Sequence, residues 1–199
     1  YKSTIKALVA AIDAKDPYTS GHSQRVAEYA MLGAAMISLP YEELQDIEFG
    51  GLLHDIGKIA IEASILSKPG DLTSEEWSVM HRHTIIGASI INGIPFLEKA
   101  RECVLYHHER YDGSGYPEGL KGEAIPIGAR LVAVADAFDT MTSERSYHGA
   151  VDADRALSEL RRCSGTQFCP VAADAFFSAF QLNRGKLLSK PVTEYRQLV

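Results

Sequence analysis

A histidine followed by an aspartate, His54-Asp55, stands among leucines and isoleucines in the stretch Gly50–Ile59. Two polar groups in such surroundings need partners once they are buried, because an unpaired polar group in the interior costs free energy. Lys58 follows Asp55 by three residues, so on a helix the two side chains share one side. For these residues alone, a core histidine bonded to a carbonyl and a surface ion pair are the commoner outcome.

Further histidines and another aspartate change that interpretation. His107 and His108 follow an apolar run, and Asp136 interrupts a second one. Adjacent residues on a helix point about 100° apart, so the histidine pair can serve two metal ions, or one metal ion and a substrate group. A buried carboxylate such as Asp136 needs a partner, which a metal ion supplies. His22 and His83 complete the set, and imidazole with carboxylate suits Zn, Fe, Mn or Ni rather than Ca.

Helical periodicity runs through nearly the whole chain and must position these side chains. The third helix is predicted to begin after Tyr41 and to continue through Ile56. Thr73 and Glu76 match a capping box, which opens a later helix. A glycine-rich stretch over 112–125 interrupts the helical pattern. The sequence therefore predicts an all-α bundle of seven to nine helices with one long, irregular Gly-rich loop.

The composition fits one globular domain, with 199 residues, 46% hydrophobic and 23% charged. The net charge of −6 argues against a nucleic-acid polymer or an anionic membrane surface as partner. No apolar run approaches the roughly 18–20 residues of a membrane span. Three cysteines without a CxxC pair favour the cytoplasm. We expect a catalytic domain over 1–184, cut from a longer protein, followed by a tail or linker over 185–199.

Short blocks of sequence carry a family likeness in a fixed order along the chain. They are Asp16–Ser23, Leu53–Ile59, Ile65–Gly70, His83–Gly87, His107–Pro117, Asp136–Arg145 and Gly165–Phe168. Together they resemble the HD-GYP phosphodiesterases, a subgroup of the HD metal-dependent phosphohydrolases. The likeness runs from about residue 7 to 180 and does not depend on the Gly115-Tyr116-Pro117 tripeptide that names the subgroup.

The resemblance implies seven metal ligands, with Asp55 bridging two ions. The seven are His22, His54, Asp55, His83, His107, His108 and Asp136. His81 and His83 project about 200° apart on a helix, so spacing leaves both open, and the family motif selects His83. Tyr18 stands where some family members have a glutamate for a third ion. Two divalent transition-metal ions are therefore expected, with iron or manganese ahead of nickel or zinc.

The resemblance also implies a reaction, the hydrolysis of cyclic di-GMP to linear pGpG, and it leaves open whether a second hydrolysis to GMP follows. A hydroxide bridging the two ions would attack the phosphorus, with Asp55 and Lys58 as the catalytic side chains. The residues implied to contact substrate are Lys58, Tyr116, Arg145 and His148, and Asp112 would support a ligand histidine. The family often has lysine or arginine in place of His148, which leaves affinity and substrate choice open.

Two alternatives stay open beside this reading. The chain could be a catalytically weak module that binds cyclic di-GMP and signals to a partner. It could also hydrolyse another cyclic dinucleotide, such as cyclic GMP-AMP, because base selectivity depends on the shape of a pocket that no motif encodes. An upstream sensor or receiver domain and a homodimer through the first helix are further expectations.

Overall fold

The computed structural model describes residues 2–13, 21–143 and 151–187, and within them the chain forms nine α-helices and no β-strand. The all-α prediction is thereby confirmed. The helices are α1 (Lys2–Asp13), α2 (His22–Ala34), α3 (Tyr41–Leu53), α4 (Ala63–Leu66), α5 (Ser74–Ile90), α6 (Ala100–Tyr106), α7 (Ile127–Thr142), α8 (Ala153–Arg162) and α9 (Pro170–Leu187). Short 3-10 turns occupy Ile56–Ala60, Pro95–Leu97 and Gly122–Ala124.

Two clusters of apolar side chains form the interior. Helices α2, α7, α8 and α9 share the first, which contains Val26, Phe138 and Phe176. Helices α1, α3 and α6 share the second, which contains Phe49 and Leu53. Each large side chain buried in this way stabilises the fold by about 1.5–3 kcal/mol. Helices of both clusters carry the histidines and aspartates of interest, so core packing fixes the distances among them.

Helix α3 ends at Leu53, and the prediction that it continues through Ile56 is wrong. Asp55 has φ −98° and ψ 7°, and a 3-10 turn follows it. Gly57 in that turn lies so close to α5 that a Cβ atom there would meet the carbonyl oxygen of His83. Because glycine permits this approach, the chain leaves the helix and carries Asp55 against α5.

Helix α5 begins with the predicted capping box. The Glu76 backbone N–H donates to Thr73 Oγ1 at 3.3 Å, and the Thr73 backbone N–H donates to Glu76 Oε2 at 2.7 Å. Two of the otherwise unpaired N–H groups at the start of the helix are thus satisfied. This local arrangement fixes where the helix that carries His83 begins.

Helix α9 extends to Leu187 and so runs through the boundary expected at residue 185. Residues 188–199 lie outside the described part of the chain. Among the helices that the structure describes, none is long and apolar enough to cross a membrane.

Candidate metal centre

The structure brings together all seven side chains that the resemblance assigns to metal ions. They form three overlapping groups, and within each group the candidate ligand atoms lie within 4.8 Å of one another. The groups are His83 with His107 and His108, His22 with His54 and Asp136, and His54 with Asp55 and His107. Helices α2, α5 and α7 contribute one side chain each, and the other four follow the ends of α3 and α6.

Asp55, in the third group, directs its two oxygens to histidines of the other two groups. Its Oδ1 is 3.5 Å from His83 Nε2. Its Oδ2 is 3.4 Å from His54 Nε2 and 4.0 Å from His22 Nε2. A carboxylate in this position can join two metal ions, one on each oxygen.

Three of the histidines are held in the same way, by a carbonyl oxygen three residues earlier in the chain. The Nδ1–O distances are 2.8 Å from His54 to Gly51, 2.7 Å from His83 to Met80 and 2.9 Å from His107 to Val104. A carbonyl oxygen can only accept, so Nδ1 carries the proton and Nε2 of each neutral ring has a free lone pair. Fixing the tautomer in this way is typical of metal-binding histidines.

The surroundings of His83, His107 and His108 favour the neutral form of their rings. Burial lowers the pKa of His83 and of His107, and it lowers that of His108 to about 4. His54 Nε2 is buried and lacks a hydrogen-bond partner among the described residues. Neutral imidazoles with unsatisfied nitrogens are the form that binds metal ions. The donor set therefore fits divalent transition-metal ions.

The opposite side of the cluster is built from carboxylates. His22 Nδ1 donates to Asp139 Oδ2 at 2.7 Å, and His22 Nε2 lies 3.3 Å from Asp136 Oδ1. Burial acts to lower the pKa of His22, but the hydrogen bonds to Asp136 and Asp139 outweigh it and raise the pKa to about 9. Without a metal ion, the His22 ring is therefore protonated at neutral pH.

Asp139 and Arg25 are site residues to which the sequence reasoning gave no role. Asp139, 1% exposed, accepts from Arg25 Nε at 2.6 Å and from Arg25 Nη2 at 3.0 Å. It thereby orients His22 as a carboxylate orients a metal-bound histidine. The spacing of three residues between Asp136 and Asp139 puts both on one side of α7, and this signal could have found Asp139.

Lys58 neutralises the central carboxylate. Its Nζ lies 2.6 Å from Asp55 Oδ2. Burial acts to raise the pKa of Asp55, but the positive charge of Lys58 outweighs it and helps to hold that pKa well below its usual range. Asp55 is therefore ionised, and Lys58 keeps 22% of its side chain accessible from outside the cluster.

The Gly-rich loop is fastened by hydrogen bonds, several of them from residues without a predicted role. Glu109 Oε1 accepts from the backbone N–H groups of Glu118 and Gly119 at 2.7 and 3.0 Å. Asp112 accepts from the backbone and hydroxyl of Ser114. In the described chain, the hydrogen bonds that Asp112 accepts lie within the loop.

A cavity of about 340 Å³ opens beside His108 and Asp136. Phe168 and Met141 supply apolar walls, and Arg110, Gln167 and Thr140 supply polar groups. A space of this size beside the ligand cluster can hold a nucleoside. Arg145 and His148, the other predicted substrate contacts, lie outside the described residues.

The family model of the HD domain matches residues 6–170, which is most of the chain. This chain belongs to the HD domain family.

Curated relatives agree with that assignment. The cyclic di-GMP phosphodiesterase response regulator RpfG of Xanthomonas campestris is 46% identical over 176 residues, covering 87% of this chain and 47% of that protein. A cyclic di-GMP phosphodiesterase of Thermotoga maritima is 42% identical, with 81% and 45% covered. The 3'3'-cGAMP-specific phosphodiesterase 2 of Vibrio cholerae is 39% identical, with 85% and 33% covered. The chain thus spans less than half the length of these relatives.

Solved structures share the fold. A cyclic GMP-AMP phosphodiesterase of V. cholerae, V-cGAP3, matches with a TM-score of 0.77 at 22% identity, covering 98% of this chain and 52% of that one. The HD domain of the Listeria monocytogenes phosphodiesterase PgpH matches with a TM-score of 0.61 at 14% identity, covering 90% and 97%.

Proposed function

We propose that this chain is a metal-dependent phosphodiesterase that hydrolyses cyclic di-GMP to pGpG and then to GMP. The observation that carries the proposal is the position of Asp55, whose Oδ2 faces Nε2 of His22 and His54 while its Oδ1 faces Nε2 of His83. The names of the relatives support the same class of substrate.

The proposed ligands divide into two sets joined by Asp55. His83, His107 and His108 would hold one divalent ion, and His22 with Asp136 would hold the other, with His54 beside both. Two such ions lower the pKa of a bound water and neutralise the charge of the phosphate. Imidazole and carboxylate ligands suit iron, manganese, nickel and zinc alike. We propose iron or manganese first, as expected from the sequence.

The chain's own side chains then arrange the reaction. Asp55 stays ionised, and Lys58 beside it supplies a positive charge that can also reach a phosphate oxygen. In hydrolysis, a water oxygen replaces the sugar oxygen at phosphorus, and a proton ends on the departing sugar oxygen. Charge that grows on the phosphate oxygens in this step is stabilised by a fixed cation such as Lys58.

The substrate would place one nucleoside in the cavity beside His108 and Asp136. Arg110 and Gln167 offer hydrogen-bond donors there, while Phe168 offers a flat apolar surface to a base. Arg145 and His148 are proposed to contact the substrate phosphates on the strength of the sequence resemblance.

A second substrate deserves equal testing, because three V. cholerae relatives are named as 3'3'-cGAMP-specific phosphodiesterases. The relatives are more than twice as long as the part that they share with this chain. The proposal therefore extends to regions beyond this chain. We propose an upstream sensor or receiver domain, a homodimer through α1 and a cytoplasmic location.

An anaerobic turnover assay tests the function. Metal-free, Mn²⁺-loaded and Fe²⁺-loaded protein would be given cyclic di-GMP or 3'3'-cGAMP, with pGpG and GMP followed by chromatography. Asp55→Ala removes the central carboxylate, and Asp71→Ala is the matched control, because Asp71 is an exposed aspartate outside the cluster. We expect metal-dependent product from the wild type and from Asp71→Ala, and none from Asp55→Ala.

Other results would redirect the proposal. Tight binding of cyclic di-GMP by fully loaded protein without product would overturn hydrolysis and favour a receptor. Product from 3'3'-cGAMP but not from cyclic di-GMP would keep the reaction and change the substrate.

A further inference from the structure

His108 differs from its neighbours in how its ring is held. His54, His83 and His107 each bond through Nδ1 to a carbonyl of the preceding turn. In the described part of the chain, no hydrogen bond reaches the His108 ring, although this ring belongs to the group formed with His83 and His107. The contacts that the His108 ring makes in this part of the chain are with other rings, those of His83, His107 and Tyr116.

The Tyr116 ring lies against His108. The two rings stack with centroids 4.9 Å apart and an angle of 28° between their planes. The His81 ring stacks on Tyr116 with centroids 3.9 Å apart and an angle of 18°. Two rings so close to Tyr116 would overlap if they shared one of its faces. Tyr116 is therefore sandwiched between them, and neither face is left for a substrate base.

The backbone brings Tyr116 to this place. The Tyr116 N–H donates to the carbonyl oxygen of His108 at 3.3 Å. A Cβ atom at Gly115 would meet the backbone of Arg110, Glu109 and His108. Glycine at 115 thus lets the loop lie directly on the backbone that carries His108, and the next residue places its ring on the imidazole.

We propose that Tyr116 is a positioning residue whose ring, backed by His81, fixes the orientation of His108 for metal binding. This inference rests on the proposed function only in requiring that the cluster binds metal. It gives Tyr116 a role different from the substrate contact implied by the sequence resemblance. The Gly115-Tyr116 pair then acts on the metal centre and not on the nucleotide.

Titration of metal-free protein with Mn²⁺, with free Mn²⁺ followed by electron paramagnetic resonance, tests the proposal. Tyr116→Leu removes the flat ring, and we expect the affinity for one of two ions to fall about 10- to 100-fold, as for other residues that orient metal ligands. Tyr116→Phe keeps the ring and should stay within about threefold of the wild type. His81→Ala, which removes only the backing ring, should weaken the same ion by a smaller factor.

Tyr106→Leu is the matched control. Tyr106 donates its hydroxyl to Glu118 of the same loop at 3.2 Å but lies outside the stack. Circular dichroism of each metal-free variant, taken at the titration temperature, separates loss of folding from loss of a ligand. If Tyr116→Leu does not fold, His81→Ala alone decides between the outcomes.

Weaker binding of one of the two ions in Tyr116→Leu, with normal binding in Tyr116→Phe, would support the positioning role of Tyr116. Equal Mn²⁺ affinities in the wild type, His81→Ala and Tyr116→Leu would overturn it while leaving the proposed function intact. A wild-type protein that binds no Mn²⁺ would overturn both, so the two failures are distinguishable.

Discussion

The two ends of the ligand cluster hold their histidines by opposite means. At the imidazole end, formed by His83, His107 and His108, backbone carbonyls and ring stacking hold the rings, and burial keeps them neutral. At the carboxylate end, formed by His22, Asp136 and Asp139, carboxylates hold the ring and favour its protonated form. Histidine side chains that lie only a few ångströms apart thus differ in protonation, because their partners differ.

This difference has a consequence for metal binding. An ion at the imidazole end meets free lone pairs at neutral pH. An ion at the carboxylate end must first displace a proton from His22, although two carboxylates then offset its charge. Four predictions test the contrast between the two ends.

The largest effect is expected on the free energy of unfolding, from a substitution in the 3-10 turn Ile56–Ala60 that follows Asp55. Gly57→Ala forces a Cβ atom against the carbonyl of His83 and should lower the free energy of unfolding by about 3 kcal/mol. Chemical denaturation of the metal-free protein measures this. Gly33→Ala is the control, because a Cβ there meets the flexible end of Leu131 at 3.1 Å. Equal stability of the two variants would refute the contact between the turn and α5.

A pH series separates the ends without any substitution. Below a pKa of about 9, metal binding at the carboxylate end must release the His22 proton. Affinity there should therefore rise about tenfold per pH unit, or about 100-fold from pH 6.5 to 8.5. The imidazole end should change little, because burial keeps the pKa of its histidines below that range. Mn²⁺ titrations at both pH values measure the two affinities, and parallel pH profiles would contradict the account.

Asp139→Asn should affect the carboxylate end alone. The amide cannot supply the charge that pairs with Arg25 and favours proton donation from His22 Nδ1. At pH 8.5, close to the His22 pKa of about 9, competition from the proton is small, and we expect Mn²⁺ affinity at that end to fall about 10- to 100-fold, with the other ion unchanged. Asp174→Asn on α9 provides a control outside the cluster. Weakening of both ions to the same degree would argue against separate ends.

The smallest effect is expected from the helix cap. Thr73→Ala removes one half of the capping box and should cost about 1 kcal/mol of stability. Thermal unfolding of the metal-free protein measures the loss, with Thr166→Ala as a second threonine variant. Because α5 keeps its position through Gly57 and Gly87, Mn²⁺ affinity at both ends should be unchanged. A shift in either affinity would show that the cap also positions His83.

Local features were predictable from the sequence, and long-range contacts were not. The capping box at Thr73 depends on four consecutive residues, and it was predicted correctly. The end of α3 at Leu53 depends on the approach of Gly57 to α5, which no local pattern shows. The helical pattern therefore predicted too long a helix.

The same distinction between local pattern and long-range contact applies to the candidate site. The resemblance named the seven clustered side chains, because each lies in a recognisable block of sequence. It did not give a role to Asp139, whose partner Arg25 is 114 residues away. It implies a substrate contact for Tyr116, whereas the positioning role proposed above depends on a stack with His81 and His108 that forms only when the loop folds back.

The central claim is that Asp55 joins two metal ions. The low-temperature electron paramagnetic resonance spectrum of protein loaded with two equivalents of Mn²⁺ at pH 8.5 tests it most directly. The account predicts the spectrum of a magnetically coupled Mn²⁺ pair in the wild type, and its loss in Asp55→Ala. A wild-type spectrum of isolated Mn²⁺ ions, unchanged by Asp55→Ala, would contradict it.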